Sequence, residues 1–453
     1  MSSSKDFERA SSTGIRVIIV GAGFAGLTAA IENTRKGHSV IVLEKFTQFK
    51  ILGDIISLQP NAGRIFARWP GMIEQLYPIC HSGKELKFKT YKGEELFTQD
   101  LDNENRFGKK YSGHRGEIHE LVWNYAKELG IDIRLDQTIS EYFETDSEAG
   151  VVSNGVRHVG DVVLAGDGVR STGRTSVLGF EDKPQKSGYA IYRAWLDSTE
   201  IRNNPLTSYM VENGDTFNAW VGPDKHFLAT SVKDGKDFSW VCTHKDDADI
   251  KESWQTPGKI EDALKVLQGW DPVVLAIVRA TPACVDWKVV YRDPLPTWIS
   301  PKARIALIGD AAHPFLPTAT QGASQAMEDG CTLAICFELA GKANIPEAVR
   351  TYEKIRYDRV RAAQKTGEDT RNNWHKSDHD RLASRPTDMK KLSLHKEAWL
   401  LAHDAEAHAY KVYPEIVKGL RGETSNHPAS VLKDTGADQV SIPMGDTTAV
   451  QVM

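Results

Sequence analysis

Residues 15–44, IRVIIVGAGFAGLTAAIENTRKGHSVIVLE, constrain the fold of this chain more than any other stretch. Arg16 to Val20 is a short apolar, β-branched run of the kind that forms a strand buried on both faces. It stops at the G-x-G-x-x-G of Gly21, Gly23 and Gly26. Leu27 to Ile31 is helix-forming sequence, Gly37 is a helix stop, and Ser39 to Leu43 reads as a second strand ending in Glu44. A unit of this form binds a dinucleotide, and each position has a physical task. Gly21 makes the tight turn, Gly23 lets the backbone approach a pyrophosphate, and Gly26 lets helix lie on strand. The helix N-terminus offers unpaired N–H groups and a partial positive charge to the phosphates. Glu44, 23 residues after Gly21, is placed to accept hydrogen bonds from a ribose diol, with Lys45 beside it in the cofactor-binding set. A carboxylate there repels a 2′-phosphate. NAD and FAD both remain open on these residues.

The rest of the chain narrows the class. Its 453 residues have the length of about three domains. With 40% apolar and 26% charged residues, the composition is that of a globular protein. A net charge of −5 gives no attraction for nucleic acid or an anionic membrane. The start, MSSSKDFERASSTG, lacks the apolar core of a secretory signal, and no run approaches the roughly 18 apolar residues of a membrane span. Cys80, Cys242, Cys284, Cys331 and Cys336 form no C-x-x-C pair and are expected as free thiols of a reducing compartment. A cytoplasmic protein, monomeric or dimeric, is the expectation. No metal site is expected either. His375 and His379 lie four apart but in charged sequence without a third ligand, so a solvated surface is expected for them. His395, His403 and His408 are expected as exposed helix histidines.

Along the chain, buried-strand texture and helical sequence alternate through residues 14–180, the first part of a cofactor domain. Leu86 to Leu101 alternates as edge strands do, and His114 opens a helix running to Leu129. Gly150 to Val156 reads as a turn region leading into the buried strand Asp161 to Ala165. Residues 181–290 change texture. Short strand-like pieces, including Thr207 to Val211, follow one another without a helix until Ile260, which predicts an antiparallel sheet and a second domain. Residues 291–345 return to the first domain through the strand Ala303 to Ile308 and a helix from Gln321 to Leu339. Residues 346–420 are a helical C-terminal region: a helix from Pro346 to Gly367, an irregular charged piece from Asp369 to Lys391, and a helix from Leu392 to Leu420. Residues 421–453 are a polar tail.

Three glycine-bounded turns thus stand at the carboxyl ends of buried strands: GAGFAG, AGDGVRS and IGDAAHPFLPTATQGASQAMEDG. In an open α/β sheet the ligand lies beyond those ends. With these motifs the chain resembles, over roughly residues 15–367, the FAD-dependent aromatic-ring monooxygenases typified by salicylate and para-hydroxybenzoate hydroxylases, and especially their fungal secondary-metabolism members. The resemblance implies an α/β fold: a Rossmann-like FAD-binding domain of the glutathione-reductase type, an inserted antiparallel-sheet substrate domain and a helical C-terminal region. It implies that Gly21, Gly23 and Gly26 hold the FAD pyrophosphate, Glu44 the adenosine ribose and Arg115 the pyrophosphate charge. Asp167 is implied beside the pyrophosphate, where the nicotinamide cofactor also passes, and Asp310 at the ribitol hydroxyls. Gly322 and Ala323 open a helix aimed at the flavin N1–C2 carbonyl, with His313 and Pro314 beside the ring. Thr320 stands where many members have glycine, so the loop over the flavin is expected to be less free.

The chemistry implied is that of NADPH or NADH reducing FAD, which reacts with O2 to a C4a-hydroperoxide that hydroxylates or epoxidises a phenolic or indole ring. Arg193, a charge in an otherwise apolar strand, is the candidate catalytic donor. Asp54, Tyr192, Trp220, Trp240 and Pro314 are the substrate-pocket candidates. An unpaired Asp54 would favour a cationic alkaloid; its other role is a loop cap. The W-x-W-x-I-P of flavin halogenases is absent. The alternative from another class is a non-catalytic, partner-binding protein on the same scaffold, like the GDP-dissociation inhibitors, against which three intact cofactor turns speak.

Overall fold

The computed structural model describes residues 7–51, 53–102, 104–246, 256–379 and 381–423. At its centre is a five-stranded parallel sheet in the order Ile305–Leu307, Val162–Ala165, Arg16–Val20, Ser39–Leu43, Asp132–Arg134. Ile18, Ile19 and Val20 are buried because the sheet is covered on both faces, near Ile19 by the helix Phe24–Arg35 and near Ile18 by the strand Val156–Gly160, as their continuous apolar run requires. The helix Phe24–Arg35 follows the first strand and packs on the helix Gly322–Ala340. The contact is close at Gly330, where a Cβ would stand 2.6 Å from the Ala29 nitrogen. Lys36 and then Gly37, at φ +77°, end the first helix.

An eight-stranded sheet forms the second layer, in the order Thr256–Gly258, Cys284–Tyr291, Gln185–Asp197, Asp237–Lys245, Lys225–Val232, Phe217–Gly222, Glu85–Thr90, Glu95–Asp100. It reaches outside 181–290: the hairpin 85–100 joins through a parallel pair with Phe217–Gly222 and forms the edge. Alternation along the strands gives the sheet two unlike faces. Tyr192, Trp220, Phe227 and Trp240 pack with the helices Ile260–Val266 and Pro272–Arg279. The opposite face, with Arg193, Leu228, Thr230 and Val241, looks toward the cofactor domain.

Several expectations are corrected. Residues 207–211 hold the 3-10 turn Ser208–Met210 instead of a strand, and the short helix Thr199–Asn203 precedes it. Residues 150–156 belong to the hairpin Ala149–Ser153 with Val156–Gly160. The helix expected to stop at Gly367 continues as Ile345–Lys376. Gly367 is there for close approach, since a Cβ would come within 2.7 Å of Ala319 Cβ, and Trp374 pins the last turn against Phe88 and the sheet. Residues 392–420 are two helices, Ala398–Leu401 and Ala405–Leu420, separated where Asp404 caps the second. His375 and His379 are buried, because that longer helix brings His375 Nε2 within 2.7 Å of His226 Nδ1 on the sheet. His403 is buried too; His395 and His408 are half-covered. All five cysteines are free and buried. No helix among the described residues is long and apolar enough to cross a membrane. Of the polar tail, residues 424–453 lie outside the described residues.

Candidate active site

The glycine loop has close backbone contacts at two of its glycines and open space at the third. Gly21 sits at φ +93°, and a Cβ there would stand 2.4 Å from the Gly166 oxygen. A Cβ on Gly26 would lie 1.9 Å from the Gly21 oxygen. At Gly23 a Cβ would meet nothing within 4 Å, so the backbone there faces open space. Gly23 also caps the helix Phe24–Arg35, which has no side-chain cap bond and no acidic residue in its first turn. Its amide donors are therefore left for an anion. The helix Gly322–Ala340 begins in the same way, uncapped by any side chain and without early acids. Gly23, Arg115, Asp310, Gly322 and Ala323 line one cavity of about 390 Å3. A group with phosphates, hydroxyls and an apolar ring fits this donor set, as FAD does.

Electrostatics support that fit. Arg115 is held below the usual arginine range by burial, opposed by Asp310 and Asp54. Asp310 is held above the usual carboxylate range, first by burial. Its loop is fixed from behind: Arg174 donates to the carbonyls of Asp310 (2.5 Å), Ala311 (2.7 Å) and Val169 (2.7 Å), tying the second and third glycine turns together. Asp329 accepts from Gly309 N at 2.9 Å and from His313 Nε2 at 2.6 Å, while Arg356 Nε donates to its other oxygen. Arg356 and Arg359 also hold Glu328, whose carboxyl they keep far below its usual range against the cost of burial. Glu44 accepts from Ala22 N at 2.7 Å and Phe46 N at 3.0 Å, bracing the glycine loop from the second strand's end. Lys45 is exposed, its ammonium 5.7 Å from the Phe46 ring centre. Asp167 lies between two glycines that line the cavity; its Oδ2 accepts from Tyr142, Thr172 and Gly173 and caps its own turn. Thr320 adopts φ +51°, the left-handed conformation in which glycine is at ease, and Gln59 Nε2 holds its hydroxyl at 3.1 Å.

The sheet face opposite these groups completes the cavity. Arg193 Nη1 is 3.1 Å from Asp54 Oδ1, both side chains nearly buried, and its guanidinium lies 5.0 Å from the Trp287 ring centre. Asp54 is therefore paired, which removes the ground for a cationic alkaloid. Burial raises its pKa and Arg193 opposes the rise. Phe217, Leu228, Val241 and Phe315 make the wall apolar.

Two pocket candidates, Tyr192 and Trp220, are corrected by strand alternation. Tyr192 stacks on His244 on the far face, and Trp220 Nε1 donates to Asp271 there. Trp240 borders the cavity, but its indole packs on the far face and donates to Thr281. Pro314 lines a neighbouring cavity with Arg361 and Gln364, and His313 is turned onto Asp329 and Trp298. Residues the sequence reading missed are Ile55, Ile56 and Ser57, His81, Lys110 and Ser112. They belong to a ribbon, Ile55–Leu58 with Tyr111–His114, or lie beside it. Neither strand is long enough to show a pattern. The partners of the buried acids, Arg356 and Arg359, were signalled only by charges at helical spacing.

Comparison with known proteins agrees with the site. The family model described as FAD binding domain matches residues 14–366. An asperlicin C monooxygenase of Petromyces alliaceus is 33% identical over 435 residues, covering 94% of each chain. The notoamide E oxidase notB′ of Aspergillus versicolor is 34% identical, with 92% of this chain and 94% of that protein covered. The crystal structure of CtdE in complex with FAD and its substrate 4 superposes with a TM-score of 0.84 at 36% identity, covering 90% of this chain and all of that one. Alike in fold at 20% identity is a salicylate hydroxylase substrate complex, TM-score 0.70, over 85% of this chain and 100% of that one. The chain belongs to the FAD binding domain family and is one of its FAD-dependent monooxygenases.

Proposed function

We propose that the protein uses NADPH or NADH and O2 to hydroxylate or epoxidise an uncharged, indole-type secondary metabolite, acting in the cytoplasm. The observation that carries this reading is the Asp54–Arg193 pair, a polar spot set in the apolar wall of the cavity onto which the two uncapped helix N-termini open. Bound FAD supplies reduction by the nicotinamide nucleotide and activation of O2. The chain supplies the positioning. Gly21, Gly23, Gly26 and Arg115 bind the pyrophosphate, Glu44 and Lys45 the adenosine side, and Asp310 the ribitol hydroxyls. Gly322 and Ala323 present partial positive charge to the ring. Asp167 lies where the nicotinamide nucleotide approaches.

Arg193 is the catalytic donor in this reading. A guanidinium does not lose its proton, so its N–H groups are fixed donors to a developing oxyanion. Asp54 orients Arg193 and cancels its charge while the site rests. The names of the fungal relatives support a secondary metabolite as substrate, and the apolar walls support a ring over a charged molecule. The test begins with a yellow holoenzyme absorbing near roughly 370 and 450 nm, the oxidised-flavin bands. NADPH oxidation is then followed against a panel of indoles and phenols under 18O2. One labelled oxygen in an indole product is expected; NADPH consumed with every indole yet no label in any product would sink the reading.

A further inference from the structure

The charged groups that line the cavity face opposite charges, with one exception. Asp54 is paired with Arg193, and Arg115 lies in the field of Asp54 and Asp310. Lys110 enters the cavity just before the strand Tyr111–His114. Among the described residues its ammonium has neither an ion-pair nor a hydrogen-bond partner. Its titratable neighbour in the cavity is His81, whose pKa is lowered first by burial and then by the Lys110 charge. His81 Nδ1 lies 2.8 Å from the Ser231 carbonyl, so Nδ1 carries a proton and donates. Ser57 and Ser112, also in the lining, hydrogen-bond to each other at 2.8 Å. Neither is drawn to the ammonium.

A desolvated ammonium without a partner costs several kcal/mol, and a cavity is where a bound ligand repays that cost by completing it. Burial alone holds Lys110 at about 8, so it is mostly protonated near neutral pH and acts as a donor. Its place relative to Arg193 follows from the sheet. His81 lies against Thr230 and the Phe217 ring, and Phe217 is three strands from Arg193 in the strand order. At about 4.8 Å per strand that is about 14 Å across the wall. Leu228 and Val241, on the strands between, are apolar.

We propose that Lys110 anchors the substrate by donating to a carbonyl-type oxygen, of an amide, lactam or carboxylate, at the end of the cavity opposite Arg193. The substrate class is then a fused aromatic system with such an oxygen about one ring system away from the reacting bond. This rests on reading the cavity as an aromatic-substrate site, and the test separates the two. Dissociation constants are measured by calorimetry on the holoenzyme for 3-methylindole, the cyclic dipeptide of tryptophan and proline, and N-acetyltryptophan. The matched phenols are 4-methylphenol and N-acetyltyrosinamide. The wild type is expected to bind the carbonyl-bearing member of each set about 10–100-fold tighter than the bare ring, the range of one hydrogen bond to a charged donor. Lys110→Met brings that ratio close to one, and Lys110→Gln, which keeps an N–H donor, retains part of it. Gain with N-acetyltryptophan alone identifies the oxygen as a carboxylate, and gain with the cyclic dipeptide identifies a neutral carbonyl. A wild type that does not prefer the carbonyl-bearing probes, or a Lys110→Met variant that keeps the preference, overturns the proposal. Phenols bound better than indoles would overturn the indole reading and leave the Lys110 comparison intact.

Discussion

Replacing Arg193 by methionine tests whether the pair with Asp54 is the charge balance of the site. The two side chains are 12% and 10% exposed and 3.1 Å apart, so solvent screens them little. At an effective dielectric constant near 20 their attraction is about 5 kcal/mol, most of which offsets desolvation of the two ions. Removing only the arginine leaves a buried carboxylate whose Oδ2 already has no hydrogen-bond partner among the described residues. Breaking a buried pair from one side costs about 3–5 kcal/mol. The cost depends on pH with a definite sign. Burial already raises the Asp54 pKa above its unfolded value, and loss of Arg193 raises it further. A carboxyl with a raised folded pKa binds its proton more tightly in the native state, so stability falls as pH rises from the unfolded value through the folded one. Urea unfolding followed by tryptophan fluorescence should show Arg193→Met destabilised by about 3–5 kcal/mol at pH 8 and by less at pH 5.5. Adding Asp54→Asn should recover much of the stability at pH 8. Product per NADPH should stay about 10²–10³-fold down in both variants, the scale of losing one oxyanion donor, with the electrons appearing as hydrogen peroxide. An equal stability loss at both pH values, or wild-type coupling in the double variant, would refute this reasoning.

Further outcomes follow from the cofactor side. Gly23→Val is expected to fold, since space is open beyond its Cα, and to lose FAD affinity by about 10–100-fold where the new side chain enters the phosphate space; flavin content after desalting measures it. Asp310→Ala should leave the far-ultraviolet circular dichroism unchanged and strip or misplace the flavin, because the Arg174 contacts that fix this loop go to backbone carbonyls. Unfolding free energy should fall as pH drops below about 6.5, by up to about 1.4 kcal/mol per unit for each buried histidine. Burial lowers the pKa of His119, His226, His375 and His403, so the unfolded state takes up their protons first; a flat profile between pH 7 and 5 would contradict it.

What the sequence made legible was the part in which local geometry and function coincide. Gly21 and Gly26 are glycine because backbone oxygens stand 2.4 and 1.9 Å from where a Cβ would be, and that demand is written in a fixed spacing. Arg193 stood out because a charge in a strand of apolar residues needs a reason. Asp54 stood out as a pocket candidate too, but its pairing with Arg193 did not, since nothing in local sequence links positions 139 apart. Tyr192 and Trp220 were misassigned because aromatic character does not reveal which face of a strand points at a ligand; only the register against neighbouring strands does. The far end of the Ile345–Lys376 helix was hidden for a similar reason. Its charged sequence is held helical by Trp374 and Gly367, whose contacts are with the sheet and the loop before Gly322.

These contacts divide the work of the site between two layers. Asp329 binds the Gly309 amide with one oxygen and Arg356 with the other, so the Asp310 turn and the Gly322–Ala340 helix are fixed to each other through one buried carboxylate. Asp310 and the amide donors of Gly322 and Ala323 therefore move as a unit, and the cofactor half is built before a ligand arrives. The substrate half has no such network. Its charged groups among the described residues are the Asp54–Arg193 pair, already balanced, and Lys110, which is not. On the proposed reading, recognition energy from the chain is concentrated at Lys110 and the apolar wall, while the pair is reserved for charge that appears only as the reaction proceeds.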